Sequence, residues 1–186
     1  MDMNTSIRGR MSLGRLLAAG LVLGAAGAAQ ADTSAVSPSG FVVTHRKEVQ
    51  ATPQQVFEAI GRIDRWWNGA HSYSGQASSL SLDLNAGGCF CERWDGGSVL
   101  HATVVYVAKG SAVRLVGGLG PLQALPVNAV LTFGTGVVDG KTMLNVTYRV
   151  AGNAEAGLDK LAGPVDGVIG EATGRLIAHA EASAKP

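Results

Sequence analysis

The sequence predicts an α+β fold in which a curved antiparallel sheet of about six or seven strands wraps around a long C-terminal helix. Three observations support this prediction. Segments of alternating or β-branched residues fill the middle of the chain, and turn residues separate them. Two short helical segments follow the first strand, and near the C-terminus the apolar residues take up the period of a helix.

The first strand is followed directly by a helix start. Residues 41–51 alternate and are rich in β-branched side chains, which is typical of a strand. Thr52 is a suitable N-cap and Pro53 a suitable first helical residue. Residues 63–67 predict a second short helix, which Asn68-Gly69 ends.

The remaining strands are separated by Gly-containing turns. Asp95-Gly96-Gly97 and Asp139-Gly140 indicate hairpins. The strands predicted between these turns are Ser79–Leu84, Cys89–Trp94, Ser98–Val107, Ala112–Gly117, Val127–Val138 and Lys141–Val150. After them, apolar residues recur every three or four positions from Leu158 to Ala180, which predicts an amphipathic helix with a kink at Pro164. A sheet that bends around one helix leaves an apolar space, which is a natural ligand cavity.

The N-terminus predicts an export signal. Arg8, Arg10 and Arg15 form a positive region, and Leu16–Ala29 is an uncharged, mostly apolar run. Ala29-Gln30-Ala31 is a small-x-small cleavage motif. The apolar run is shorter than the ~20 residues that a membrane-spanning helix needs, which favours a cleaved signal over an anchor.

The signal sets the expected domain boundaries. We expect a signal peptide over 1–31 with cleavage after Ala31, a flexible lead-in rich in Ser, Pro and Gly over 32–40, and one domain over 41–186. The protein is then expected in the periplasm or outside the cell, without stable membrane insertion after the signal is removed.

Composition excludes several functional classes. The formal net charge of +1 argues against a basic nucleic-acid-binding protein, and removal of the signal changes that charge to −1. Two cysteines are too few for a disulfide-rich scaffold or a four-cysteine zinc module. The sequence contains neither a Walker A phosphate loop nor a Gly-x-Ser-x-Gly motif, so it predicts no cofactor and no recognisable catalytic set.

Several sequence segments resemble those of the START-like superfamily, also called SRPBCC, whose fold is the helix-grip of the birch pollen allergen. The segments are residues 49–57, Asp64-Arg65-Trp66-Trp67, Gly87–Glu92 and Gly157–Leu161. Within the superfamily, the chain resembles the branch related to heat-shock ATPase activator homologues and polyketide cyclase/dehydrase-like proteins. The resemblance implies a cavity between the sheet and the long helix that binds lipids, sterols, polyketides or hormones, and it implies catalysis in some members.

The expected ligand is a hydrophobic small molecule, lipid-like or aromatic. Trp66 and Trp67 are adjacent on a short helix and cannot share one face, so we expect one in the core and the other near the mouth of the cavity. His71 lies in a Gly/Ser-rich loop that is either solvated or at the cavity entrance. The candidate lining residues are Phe57, Trp66, Trp67, His71, Phe90, His101, Phe133, Tyr148, Leu161, Val165 and Ile169.

Cys89 and Cys91 occupy positions i and i+2 of a strand, so their side chains share one face. If the following hairpin loop has three residues, His101 lies opposite Cys91, and two thiols and an imidazole converge. Three hypotheses then remain open for these cysteines: packed structural thiols, a strained or redox-active disulfide, or a site for a soft or borderline metal ion such as Zn or Cu(I). A two-residue loop would break the alignment with His101.

Two further hypotheses for the activity remain open, in addition to the metal or redox site. The first is an exported carrier that binds its ligand without catalysis. The second is a polyketide cyclase/dehydrase-like enzyme that uses His101, Glu92 or Tyr148 inside the cavity. We expect Glu92, Arg93 and Asp95 to form a solvated charged cluster at the hairpin.

Overall fold

The computed structural model describes residues 30–185, and these form one antiparallel sheet with eight strands, three α-helices and four short 3₁₀ turns. The strands are β1 (Gln30–Ser37), β2 (Gly40–Val49), β3 (Leu80–Leu82), β4 (Cys89–Trp94), β5 (Gly97–Ala108), β6 (Ala112–Val116), β7 (Val127–Val138) and β8 (Lys141–Gly152). The helices are α1 (Pro53–Gly61), α2 (Ile63–Trp66) and α3 (Asp159–Ser183). The 3₁₀ turns are Gly69–His71, Ala77–Ser79, Gly120–Ala124 and Ala154–Ala156.

The strands follow the order β1-β2-β8-β7-β6-β5-β4-β3 in an open, curved sheet. Each pair of neighbouring strands is antiparallel. Buried residues alternate with exposed ones along β2, β7 and β8, so one face of the sheet forms the core and packs under the helices. The predicted α+β fold, with a curved antiparallel sheet and a long C-terminal helix, is confirmed.

The additional strand lies where the sequence predicts a flexible lead-in. Segment 32–40 contributes most of β1, which pairs with β2 through Ser34↔Val42 and Ser37↔Gly40, so the lead-in prediction is wrong for this part of the chain. An edge strand is held by backbone hydrogen bonds to one neighbour, and small polar side chains do not prevent that pairing. The predicted signal peptide lies outside the described residues except for Gln30 and Ala31, whose backbone begins β1.

Local sequence fixes the start of α1. The side chain of Thr52 accepts a hydrogen bond from the backbone N–H of Gln55 (3.2 Å), and Gln55 Oε1 accepts one from the backbone N–H of Thr52 (2.8 Å). This reciprocal arrangement is a capping box, and Pro53 follows it at the first helical position. The helix buries Val56, Phe57 and Ile60 against the sheet.

Helix α3 runs without interruption through Pro164 and lies across the sheet. It packs tightly on β2 at Gly170, where a Cβ atom would lie 2.8 Å from Cε1 of the buried His45 ring. His45 Nε2 also lies 2.9 Å from Asp166 Oδ1 on the same helix. The absence of a side chain at Gly170 therefore permits this close contact between the helix and the His45 ring. None of the helices in residues 30–185 is long and apolar enough to cross a bilayer.

Trp66 anchors the short helices in the core. Its side chain is 1% exposed, its Nε1–H donates to the Ala59 carbonyl (2.9 Å), and its ring meets that of Phe133 edge-on at a centroid distance of 6.3 Å. Arg175 of α3 donates from Nε to the Trp66 carbonyl (2.6 Å), which ties the end of α2 to the long helix. One buried indole thus joins α1, α2 and the sheet.

We predict that Trp66→Ala lowers the free energy of unfolding by about 3–5 kcal/mol, because it leaves a large cavity and removes the buried hydrogen bond from the indole to the Ala59 carbonyl. Urea denaturation monitored by circular dichroism measures this change. Trp94→Ala is the matched control, since Trp94 is 38% exposed, and we expect a loss below about 1 kcal/mol. Equal losses for the two variants would contradict the anchoring role of Trp66.

Candidate functional site

A cavity of about 450 Å³ lies between the first turns of α3 and two loops at one end of the sheet. Its volume falls in the range of small-molecule sites. One loop covers residues 68–76, after α2, and the other covers residues 117–126, between β6 and β7. The lining residues are Trp67, Ala70, His71, Ser72, Tyr73, Leu119, Gly120, Pro121, Tyr148, Leu161, Pro164, Val165, Val168 and Ile169.

The structure brings only part of the predicted lining set to the cavity. The lining members are Trp67, His71, Tyr148, Leu161, Val165 and Ile169. The others are buried without lining it, namely Phe57, Trp66, Phe90, His101 and Phe133. Most of the lining residues that sequence reasoning missed lie in the two loops, where no periodicity indicates which side chains face inward.

Tyr148 holds the 117–126 loop through hydrogen bonds to its backbone. This residue of β8 is fully buried, and its hydroxyl donates to the Gly117 carbonyl (3.0 Å) and accepts from the Leu119 N–H (2.9 Å). Burial raises the pKa of Tyr148 well above its usual value, although the bond from Leu119 opposes this change. Tyr148 lines the cavity with its ring. Its neutral hydroxyl is hydrogen-bonded to the loop on both sides, so it is poorly placed for acid–base chemistry.

Trp67 and His71 form the wall next to α2. The indole N–H of Trp67 donates to the His71 carbonyl (3.1 Å), which folds the Gly69–His71 turn over the ring. His71 Nε2 lies 3.0 Å from Glu171 Oε2 of α3, and Asn68 Nδ2 donates to the other oxygen of this carboxylate (2.7 Å). The hydrogen bond from Asn68 has the largest effect and lowers the pKa of Glu171. Burial opposes this change, and His71 and Arg175 lower the pKa further by smaller amounts. Glu171 therefore links this loop to α3.

Glu92 is buried, contrary to the expectation from the sequence. Instead of belonging to a solvated cluster, its side chain is fully buried, whereas Arg93 and Asp95 are exposed. Its carboxylate accepts hydrogen bonds from the backbone N–H groups of Ser74 and Tyr73, the latter at 3.0 Å. Burial alone would raise the pKa of Glu92, but the hydrogen bonds, chiefly from Ser74, lower it to about 2.

His101 is the third partner of Glu92. Its Nε2 lies 2.9 Å from Glu92 Oε2, and its ring packs on Phe90 at a centroid distance of 4.7 Å. Burial lowers the pKa of His101, and the nearby Glu92 carboxylate opposes this effect. A neutral imidazole next to an ionised carboxylate must donate from Nε2, so the ring of His101 is oriented by Glu92.

The position of His101 follows from the hairpin register. The turn between β4 and β5 has two residues, Asp95-Gly96, and Trp94 pairs with Gly97. Cys91 therefore pairs with Leu100, and a β-bulge then places His101 on the buried face next to Glu92. The three-residue loop on which the Cys91–His101 convergence depended is not formed.

The two cysteines lie on the outer face of the sheet, away from the cavity. Their sulfur atoms are bonded to each other, and their Cα atoms are 5.3 Å apart. Because His101 points to the inner face, the predicted cluster of two thiols and an imidazole is not formed. Within residues 30–185, no group of three or more His, Cys, Asp or Glu side chains is arranged to hold a metal ion.

Tyr73 joins the two loops across the mouth of the cavity. Its hydroxyl donates to Gln123 Oε1 (3.0 Å), and Gln123 Nε2 donates to the Leu100 carbonyl (2.6 Å). Its ring lies 5.8 Å from that of His101, while its backbone N–H binds Glu92. The cavity thus has an apolar body and a polar mouth. The loop over residues 68–76 is hydrogen-bonded to Glu92 and Glu171, and the loop over residues 117–126 is hydrogen-bonded to Tyr148.

Comparison with known proteins identifies the fold and nothing finer. No protein-family model matches the sequence, and no curated protein matches it. Among solved structures, a protein from Arthrobacter aurescens is 11% identical, with a TM-score of 0.57 over 82% of this chain and 91% of that chain. A protein from Mesorhizobium loti is 14% identical, with a TM-score of 0.54 over 74% of this chain and 95% of that one.

A third similar structure carries a functional name. The di-domain ARO/CYC StfQ from the steffimycin biosynthetic pathway is 10% identical, with a TM-score of 0.56 over 79% of this chain. This chain spans 52% of that protein. At such identities the likeness concerns the fold alone. The chain therefore has a helix-grip-like fold of the kind found in the ARO/CYC protein StfQ and in a conserved protein of unknown function from Enterococcus faecalis.

Proposed function

We propose that this protein is an exported carrier that binds a neutral, hydrophobic small molecule in the cavity between α3 and the sheet. The observation that carries the proposal is the cavity of about 450 Å³ with a predominantly apolar wall. Leu119, Leu161, Val165, Val168 and Ile169 provide that wall. Burying a ligand's apolar surface against such side chains contributes about 25 cal/mol per Å² before the costs of association.

The charges around the cavity favour a neutral ligand. None of the lining residues is Lys, Arg, Asp or Glu, and the imidazole of His71 lies against the Glu171 carboxylate. An anionic group in the body of the cavity would lose its hydration without gaining a cationic partner. Polar atoms of a ligand find hydrogen-bonding groups at the mouth, where Ser72 and Tyr73 lie.

Export is part of the proposal because of the predicted signal over residues 1–31. Cell fractionation followed by intact mass measurement tests it. We expect a periplasmic or secreted species that begins at Asp32. A full-length protein confined to the cytoplasm would contradict the export proposal and leave the ligand proposal unaffected.

A second candidate function is an enzyme of the cyclase or dehydrase type. The observation in its favour is the His71–Glu171 contact of 3.0 Å at the cavity mouth, because a histidine oriented by a carboxylate is a common general base. The buried groups named as catalytic candidates fit this function less well, since Glu92, His101 and Tyr148 hold one another or the loops. The enzyme hypothesis predicts that His71→Gln retains ligand binding and loses turnover. If the original protein converts no compound of the class that it binds, the enzyme hypothesis is contradicted and the carrier hypothesis is supported.

We predict that N-phenyl-1-naphthylamine, a neutral probe that fluoresces in apolar surroundings, binds with one site per chain. Its sulfonated analogue 8-anilino-1-naphthalenesulfonate has the same aromatic skeleton and should bind at least about tenfold more weakly, because its charge is desolvated without a partner. Fluorescence titration measures both affinities. Absence of binding by the neutral probe, or tighter binding by the anion, would contradict the proposed ligand class.

We predict that Val168→Trp abolishes binding of the neutral probe, because the indole fills the space between α3 and the loops. The matched control is Val137→Trp, since Val137 is 62% exposed on the far hairpin. We expect the control to bind like the original protein in the same titration. Equal binding by both variants would place the probe outside this cavity.

We predict that Glu92→Gln lowers the free energy of unfolding by about 2–4 kcal/mol near pH 7, because an amide cannot satisfy all the donors that face the carboxylate. The pKa of Glu92 is about 2 in the folded protein, against an ordinary value of 4.5 for a glutamate side chain. The stability that its ionised form provides is therefore complete above pH 4.5 and is lost as the pH falls toward 2.

The difference in stability between the original protein and Glu92→Gln should accordingly shrink as the pH falls from 4.5 toward 2. Urea denaturation at a series of pH values measures this difference. Glu155→Gln is the control, because Glu155 is exposed and should give a difference near zero at every pH. A pH-independent difference for Glu92→Gln would show that the carboxylate charge does not stabilise the loop.

A further inference from the structure

The Cys89–Cys91 pair lies outside the ligand cavity and takes no part in the function proposed above. Both side chains are on the outer face of β4, and Phe90 between them points to the core. We propose that this pair is a reversible thiol–disulfide exchange site, with Cys89 as the sulfur that an incoming low-molecular-weight thiol attacks.

A stabilising cross-link is a poor explanation for this bond. The two cysteines belong to a single strand and are separated by one residue, so the bond joins no distant segments. The loop that it closes is about the shortest possible, and the stabilisation from restricting an unfolded chain increases with loop length. The strand is already held on both sides, since β4 pairs with β3 and with β5.

Their geometry nevertheless suits repeated formation of the bond. The Cα separation of 5.3 Å lies within the 4.4–6.8 Å range usual for disulfides. The register between β4 and β5 shifts from Phe90 to Cys91, where His101 is the extra residue of a bulge in β5. After reduction, the ladders to β3 and β5 keep the two thiols next to each other, so the second thiol is always available to close the bond again.

The two sulfur positions differ in access. Cys89 is partly exposed and lines an outer groove together with Gly87, Gly88 and Arg93. Cys91 is 7% exposed and does not line the groove. Gly88 is required at its position, because a Cβ there would clash with the carbonyl of Asp83. An incoming thiolate therefore reaches Cys89, and Cys91 is the leaving group.

Arg93 is the cationic residue in the groove lining. Arg93 follows Cys91 by two residues on the same face, and a guanidinium stabilises both an approaching and a departing thiolate. Asp83 is the carboxylate in the groove lining, and its Oδ1 accepts a hydrogen bond from Asn85 Nδ2 at 2.6 Å. We assign Arg93 a positioning role, since it acts on the charge of the sulfur and forms no bond in the reaction.

The proposed exchange balances in two steps. A thiolate attacks Sγ of Cys89, the Cys89–Cys91 bond breaks, and Cys91 leaves as a thiolate while a mixed disulfide forms on Cys89. A second thiolate of the reductant then attacks the sulfur that the first reductant contributed to the mixed disulfide. This step releases Cys89 as a thiolate. Two thiols are thereby oxidised to one disulfide, the protein gains two electrons, and both cysteine thiolates take up protons from water. A disulfide compound reverses the sequence.

Equilibration of the full chain in buffers of reduced and oxidised glutathione tests the proposal. Alkylation followed by mass spectrometry counts the free thiols, and circular dichroism reports whether the reduced protein stays folded. We expect a reversible change from no free thiols to two within the glutathione range, with the fold retained. A pair that stays oxidised in excess reduced glutathione, or a protein that unfolds on reduction, would overturn the proposal.

Single-cysteine variants test which sulfur is attacked. In Cys91→Ala, the remaining Cys89 should form a mixed disulfide with oxidised glutathione at least about tenfold faster than Cys91 does in Cys89→Ala, because of the difference in access. Arg93→Gln should slow the reaction of Cys89 about threefold or more, whereas Arg46→Gln, which changes an exposed arginine on a distant strand, should not. Equal rates for the two single-cysteine variants would contradict the assignment of Cys89.

Discussion

The buried Glu92 carboxylate is the interaction on which the ligand cavity depends. It receives hydrogen bonds from the backbone of Tyr73 and Ser74 and from the ring of His101, without exposure to solvent. A buried carboxylate is tolerable only when such donors satisfy it. Satisfying this charge fixes the loop after α2 at one position, and that loop carries much of the cavity mouth.

The other walls are held in a comparable way. Tyr148 holds the 117–126 loop from the central strand β8, and Glu171 holds the Gly69–His71 turn from α3. Gly170 permits the close contact of α3 with the His45 ring of β2, and the first turns of the helix lie over the cavity. Hydrogen bonds from Glu92, Tyr148 and Glu171 thus position the segments that form the cavity wall. Because these polar groups bond to one another or to the loops, the wall that faces the ligand is mostly apolar.

The sequence predicts the fold well because the fold follows from local patterns. Strand alternation, the Thr52 cap and the helical period after Leu158 each have a physical cause within a few residues. The site depends on register, which no local pattern determines. The length of the β4–β5 turn and the bulge at His101 together decide whether His101 lies opposite Cys91 or next to Glu92. Glu92 is buried because it shares a face of β4 with the buried Phe90, two residues earlier. Tyr73 carries no signal in the sequence because it lies in an irregular loop.

Hydrogen exchange of the Tyr73 and Ser74 amides tests the central claim most directly, since both N–H groups donate to Glu92. If the carboxylate fixes the loop, these amides are protected in the original protein and lose protection by about tenfold or more in Glu92→Gln, while the Val146 amide in the core strand β8 exchanges as before. Unchanged protection of Tyr73 and Ser74 in the variant would contradict the account.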